Sequence, residues 1–285
     1  MNTRRLLVST SRYLLNVDIL KKNISVVNDK YGLFYGITWD NENIYVAARW
    51  YPEYIPLISR FERPRLLVLD NNLKLLDVVK INNKADGLHQ ILYINKNLYL
   101  TCSKQDSILV GTVNDFSVWY PSTEQKDHNQ DTHHFNSIWH HNGKIFLLGH
   151  NRGPSDVWVF PQDTQELINK TSIGNHAHNI WFEDGFLTVC DSRNGRIFSD
   201  EKGVLCETGE FPRGAIIAKD FNVIGLSGIA GRSNRIHTEG KLNIYSKNWK
   251  LLDQISLGRC GQVCEIRSLD GDDEAHNGLP SPVSL

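Results

Sequence analysis

A short polar signature returns roughly every 40–50 residues along this chain, a period typical of blade-like repeats. It reads Gly87-Leu88-His89-Gln90-Ile91, then His134-Phe135-Asn136-Ser137-Ile138, then His176-Ala177-His178-Asn179-Ile180. A looser copy stands at Pro212-Arg213-Gly214-Ala215-Ile216. Each copy leads into an apolar strand, a tight polar turn and a second apolar strand. Several short strands per repeat is the pattern of propeller blades. Equivalent positions of such blades converge on one axis. Histidines far apart in sequence are therefore expected to meet in space.

Five units can be traced in full, each with four short strands and turn residues between them. The second runs through Leu88–Ile94, Leu98–Cys102, Ser107–Thr112 and Phe116–Tyr120, and its neighbours follow the same plan. A sixth unit starts at Gln262–Arg267 and then runs out. Its missing strands are supplied by Arg5–Ser9, Tyr13–Val17 and Ile24–Val27 at the other end of the chain. The expected fold is an all-β, six-bladed propeller closed by pairing the N- and C-terminal strands in one blade. Closure removes exposed sheet edges. Residues 1–275 form one domain in this reading, 276–285 a loose tail, and Glu124–Asp131 a polar insertion.

The bulk composition narrows the function. A formal net charge of −1 on 285 residues argues against a general electrostatic grip on nucleic acid. No apolar run reaches the roughly 20 residues of a spanning helix, so no membrane partner is expected. The N-terminal apolar stretch is too short for a signal peptide. Five cysteines without a CxxC pair read as reduced thiols of a cytoplasmic protein.

Because the first two strands of a blade run antiparallel, first-strand starts and second-strand ends share one rim. That rim gathers Tyr35, His89, His134, Asn136, His176, His178, Arg213 and Gln262 from the starts. The second-strand ends add Arg49, His150, Asn151 and Arg193, while His140 and His141 fall on the opposite face. Neutral imidazoles are the usual nitrogen ligands of transition metals. His89, His134 and His178, with Gln262 supplying oxygen, are the candidate ligands of one divalent ion (Zn, Mn or Fe). His133 competes with His134, and His176 with His178, for the inward position. Arg213 suits an anionic group, because guanidinium binds carboxylate and phosphate bidentately. Tyr35 and His150 are candidate proton-transfer groups alongside Arg213, and Arg49, Asn136, Arg193 and Asn151 candidate substrate contacts. The bland alternative is that these polar side chains brace backbone between blades.

The strings Leu147-Leu148-Gly149-His150-Asn151-Arg152-Gly153-Pro154-Ser155-Asp156-Val157, His176-Ala177-His178-Asn179, Cys190-Asp191-Ser192, Phe211-Pro212-Arg213-Gly214 and Ile224-Gly225-Leu226-Ser227 resemble an uncharacterised β-propeller family of unknown function. More distantly, one histidine per blade is similar to metal-dependent propeller lyases, which hold a metal with three axial histidines. That resemblance implies a metal-dependent lyase or hydrolase acting on a small anionic or sugar-derived substrate. The alternative is a non-catalytic propeller that binds a protein or glycan partner.

Overall fold

Turn chemistry and strand burial explain the architecture together. In the computed structural model, residues 4–50, 63–81, 85–150, 153–276 and 282 are described, the side chains of 50, 63, 232 and 233 aside. Asn142-Gly143 and Asp184-Gly185 both take two successive positive φ angles, the backbone of a two-residue hairpin whose twist matches its strands. Asp40 closes another hairpin differently. Its carboxylate accepts the backbone N–H groups of Glu42 and Asn43, each at 2.8 Å.

Six four-stranded antiparallel sheets result. Blade one comprises Phe34–Trp39, Ile44–Trp50, Arg63–Leu69 and Leu75–Lys80. Blades two to five begin with the inner strands Leu88–Ile94, Phe135–His141, His178–Glu183 and Phe211–Ile217. Blade six joins Val263–Ser268 to Arg5–Thr10, Leu14–Asp18 and Asn23–Asn28. Leu7 faces Arg267 and Val8 faces Ile266 across the closing ladder. The fold is thus the closed six-bladed propeller that the half unit at each terminus implies.

Inner strands are buried on both faces and read as near-continuous apolar runs. The outermost strands, such as Asn23–Asn28, alternate towards solvent. The apolar core is divided among the seams between blades. Leu6, Val8, Ile216 and Val223 fill the seam of blades five and six, and Leu92, Ile108, Ile138 and Leu147 that of blades two and three. Trp119, Trp139, Trp158 and Trp181 are buried in such seams.

A short 3-10 turn, Glu274–His276, lies beneath the axis on the face opposite the histidines. His276 is buried, its ring 4.2 Å from that of Trp39, with Nε2 3.1 Å from the Thr38 hydroxyl. Trp139 donates to the Glu274 carbonyl at 3.3 Å, and the Asp273 carboxylate accepts the backbone N–H of Ile217 at 3.3 Å. Three blades hold this segment, so His276, expected as the first residue of the loose tail, is packed against the propeller instead. Of the rest of that expected tail, 277–281 and 283–285 lie outside the described residues.

Candidate functional site

The six inner strands enter from one rim, and each carries a register shift near its start. Such bulges twist a strand and re-aim its side chains, here towards the axis. Counting in from the rim gives three tiers. The mouth holds Leu33, Gly87, His134, His176, Phe211 and Gln262. The middle holds Tyr35, His89, Asn136, His178, Arg213 and Cys264. The floor holds Gly36, Gln90, Ser137, Asn179, Gly214 and Glu265.

The floor is closed by hydrogen bonds. Glu265 accepts from Gln90 Nε2 at 2.8 Å and from Asn179 Nδ2 at 3.0 Å, and pairs with Arg267 at 3.2 Å. The Gln90 side-chain oxygen Oε1 accepts the backbone N–H of Ile138, and Asn179 Oδ1 that of Gly214. Arg267 reaches the carbonyl of Ile37. All six blades are tied by this one layer. Gly36 is required here because an added Cβ would sit 2.4 Å from the Ile91 nitrogen. Asn136 also belongs to the architecture: it donates to the Ala177 carbonyl at 3.0 Å and accepts from Ser137 at 2.7 Å. It was expected as a substrate contact, and its amide is instead engaged between blades.

Above the floor opens a cavity of about 330 Å³, lined by Arg49, His89, Asp131, His134, His150, His176, His178, Arg193, Phe211, Arg213, Ile229, Ala230, Arg235 and Gln262. Four guanidiniums face one carboxylate. Five imidazoles stand among them. The ring centroids of His89 and His134 are 5.1 Å apart, those of His134 and His150 4.6 Å, and those of His150 and His176 4.6 Å. His178 lies 6.0 Å from His150. Both inward alternatives at blade four, His176 and His178, therefore reach the cavity. At blade three His134 does so, while His133 turns to Trp158 and Asp127. His140 and His141 sit at the far end of their strand, with His141 stacked on Trp139.

Four of the imidazoles are held towards the neutral form. Burial, then Arg49, His134 and Arg213, holds His89 well below the ordinary histidine range. Burial, then Arg213, His150, His134 and Arg235, does the same to His178. Burial with His134, His176 and both Arg213 and Arg235 brings His150 down to about 2. Burial and Arg193 lower His176. The geometry at His89 agrees. Nδ1–H can donate to the Gly87 carbonyl at 2.8 Å while Nε2 accepts from Arg49 Nη2 at 3.2 Å, since a guanidinium can only donate; this is one tautomer of the neutral ring.

Among the described residues two groups in the cavity lack hydrogen-bond partners. His150 is more than nine-tenths buried, and its Nδ1 is fully enclosed without a hydrogen bond. Arg213 is 5 % exposed and makes no hydrogen bond or ion pair with the described residues; its guanidinium carbon lies 5.1 Å from the Tyr35 ring. Tyr35 itself does not line the cavity. Its ring lies against Arg213, Arg49 at 4.0 Å and His89, so it supports the cations where a proton-transfer role was expected. Asn151 lies outside the described residues. Gln262 and Arg193 line the cavity as expected.

Ring packing works against the expected metal site. Among the described residues no group of three or more His, Cys, Asp or Glu side chains is arranged to hold a metal ion. The imidazoles lie edge-on or tilted against one another. Two Nδ1 atoms are held by neighbours, His134 by Asp131 at 2.6 Å and His178 by Ser192 at 2.9 Å, which leaves only Nε2 of those rings for another partner. His89, His134, His178 and Gln262 are thus brought to one cavity without forming a ligand set.

Sequence reasoning missed Asp131 and Arg235. Asp131 comes from the polar insertion, which is folded onto the rim. Asp106 accepts the backbone N–H groups of Thr132, His133 and His134, and Ser122 donates to Asp127 at 2.8 Å. The sequence signal was the acidic Asp127–Asp131 stretch directly before a repeat start. Arg235 rises from the 3-10 segment Arg232–His237 inside a blade-five connection, where no repeat phase marks it. Two mouth residues, His134 and His176, take left-handed backbone with φ of 50° and 45°, as do Leu33 and Gly87 at the same repeat position. Such a turn costs an L-residue about 1–2 kcal/mol. It recurs where the strand must enter steeply over the axis.

Fold and site together define a propeller with a cationic, histidine-lined axial pocket. No protein-family model and no curated protein matches the chain. Solved structures match the fold. A chain of a nidogen/laminin complex superposes with a TM-score of 0.65 at 11% identity, over 92% of this chain and 97% of that one. A quinonprotein alcohol dehydrogenase-like protein from Bacteroides thetaiotaomicron gives 0.54 at 12% identity, over 94% and 78%. Dihydro-heme d1 dehydrogenase gives 0.50 at 9%, over 98% and 76%. These likenesses are in fold alone, and none of the three is a histidine–metal lyase. No helix among the described residues is long and apolar enough to cross a membrane.

Proposed function

We propose that the axial pocket binds a small anionic molecule on Arg213 and performs proton-transfer chemistry on it, of lyase or hydrolase type, with His150 as the base. The observation that carries this reading is Arg213. Among the described residues its buried guanidinium has no carboxylate or carbonyl hydrogen-bond partner; it forgoes hydration, and such burial is offset when a counter-charge arrives. Guanidinium is also the side chain best shaped for a carboxylate or phosphate. His150 supports the chemical half. It lines the cavity and is neutral, and an anion seated on Arg213 would offset one of the charges that hold its pKa down, so that its imidazole could take a proton from the bound substrate. The Asp131–His134 pair beside it resembles the carboxylate-oriented imidazoles that shuttle protons elsewhere.

Titration calorimetry with inorganic phosphate and with citrate tests the binding half. Measurable affinity that Arg213→Gln abolishes is the expected result. No heat with either anion would overturn it. Metal analysis of the purified protein is the companion measurement. One tightly held transition metal per chain would return His89, His134 and His178 to the role of ligands and displace His150 as base.

A further inference from the structure

The four arginines are not placed alike. Arg213 lies in the middle tier, buried against the Tyr35 ring that it shares with Arg49. Arg193 stands at the mouth on the exposed turn Ser192–Asn194. That turn is rigidly held: the Asp191 carboxylate, fully buried, accepts from Asn194 at 2.9 Å, from Arg196 at 2.7 Å and from the backbone N–H of Asn175 at 2.7 Å. Arg193 itself makes no hydrogen bond or ion pair with the described residues and lines the cavity beside His176. Arg213 acts on His150 and Arg193 on His176, and the rings of these two histidines lie 4.6 Å apart. The wall near the mouth is apolar, formed by Phe211, Ile229 and Ala230.

We infer that the ligand carries two anionic groups joined by a short carbon skeleton, one seated on Arg213 and the other on Arg193, with the skeleton against Phe211 and Ile229 and passing over His150. This rests on the anion-binding reading and narrows it to a substrate class: a bisphosphate, a phosphorylated acid or a dicarboxylate. A single anion satisfies only one pole. The second pole adds affinity only when the skeleton matches its distance, as for any two linked binding groups. Donors dominate the cavity, and terminal phosphate oxygens accept more hydrogen bonds than a carboxylate does.

The test uses methylphosphonate and linear α,ω-alkane bisphosphonates with one to six methylenes, titrated into the full chain. The expected result is an optimum length that binds at least about tenfold tighter than methylphosphonate, beyond the twofold gain of having two equivalent ends. In Arg193→Gln the ratio of bisphosphonate to methylphosphonate affinity falls to about two. Arg193 is exposed, and an unchanged melting temperature verifies that this variant folds. If methylphosphonate binds and Arg213→Gln abolishes that binding, yet no bisphosphonate exceeds the twofold gain, the two-pole inference is overturned and the anion site stands. If neither class of probe binds, both fall.

Discussion

The floor and the middle of the central channel are both polar and both buried, yet they are finished differently. At the floor, Glu265 meets Gln90, Asn179 and Arg267, and the amide carbonyls of Gln90 and Asn179 meet backbone N–H groups. One layer higher, among the described residues, Arg213 has an aromatic face and no acceptor, and His150 Nδ1 has no hydrogen-bond partner. A satisfied buried network specifies structure, because removing any member strands the others. An unsatisfied one costs stability and persists where something else completes it. Repeat phase alone treats both layers as equivalent rings. Partner accounting separates a layer that joins blades from a layer prepared for a ligand.

The largest expected effect tests the floor. Glu265→Ala leaves Arg267 buried without its nearest carboxylate, and breaking one side of a buried pair costs about 3–5 kcal/mol. Urea denaturation should show that loss, and a loss below about 1 kcal/mol would erase the distinction between the layers. The middle layer should respond in affinity. Arg213→Lys keeps charge and loses the planar fork, so phosphate affinity should fall by about 1–3 kcal/mol, the range for hydrogen bonds to charged groups. Its melting temperature should hold or rise. Unchanged affinity with a lowered melting temperature would make Arg213 a brace and return it to the architecture.

Acidification sharpens the same comparison, because Asp273 beneath the axis titrates with a sign opposite to that of the pocket histidines, while burial lowers its neighbour His276 as it lowers them. The folded state holds His89 and His178 well below the ordinary 6.5, and His150 at about 2. The unfolded chain therefore binds more protons below pH 6.5. This contribution is full above that pH and is lost as pH falls through it. Under the axis, burial raises Asp273 from 3.8 to about 6, against the lowering pull of Arg267. There the folded state binds more protons between those values, so stability is lost as pH rises from about 4 to 6. Three histidines outweigh one aspartate, and wild-type stability should drop between pH 6.5 and 4. His150→Gln should make that drop shallower and Asp273→Asn should make it steeper. Identical slopes in all three proteins would refute the opposition.

The smallest effect belongs to the perimeter. Lys22 and Asp253 pair across blades six and five at 2.7 Å with both side chains about half exposed. Screening by water makes such a pair weak. Lys22→Ala should leave the urea midpoint nearly unchanged, in contrast to Glu265→Ala on the axis.

The repeat by itself determined the blade count, the closing partners and the rim on which His89, His134, His178 and Arg213 gather. These follow from strand periodicity and turn chemistry, which are local in sequence. His140 and His141 could be set aside on the same ground, since a strand's two ends face opposite rims. Tertiary structure alone decided the rest. It turned Asn136 to a backbone carbonyl and Tyr35 into a support for two guanidiniums. It packed the imidazoles ring against ring where a metal set was expected. It brought Asp131 and Arg235 in from connections that no period marks, and seated His276 beneath the axis. The physical reason is that sequence specifies which groups reach the axis, whereas partners depend on angles and distances between blades. Whether a buried polar atom is satisfied is a property of the closed ring.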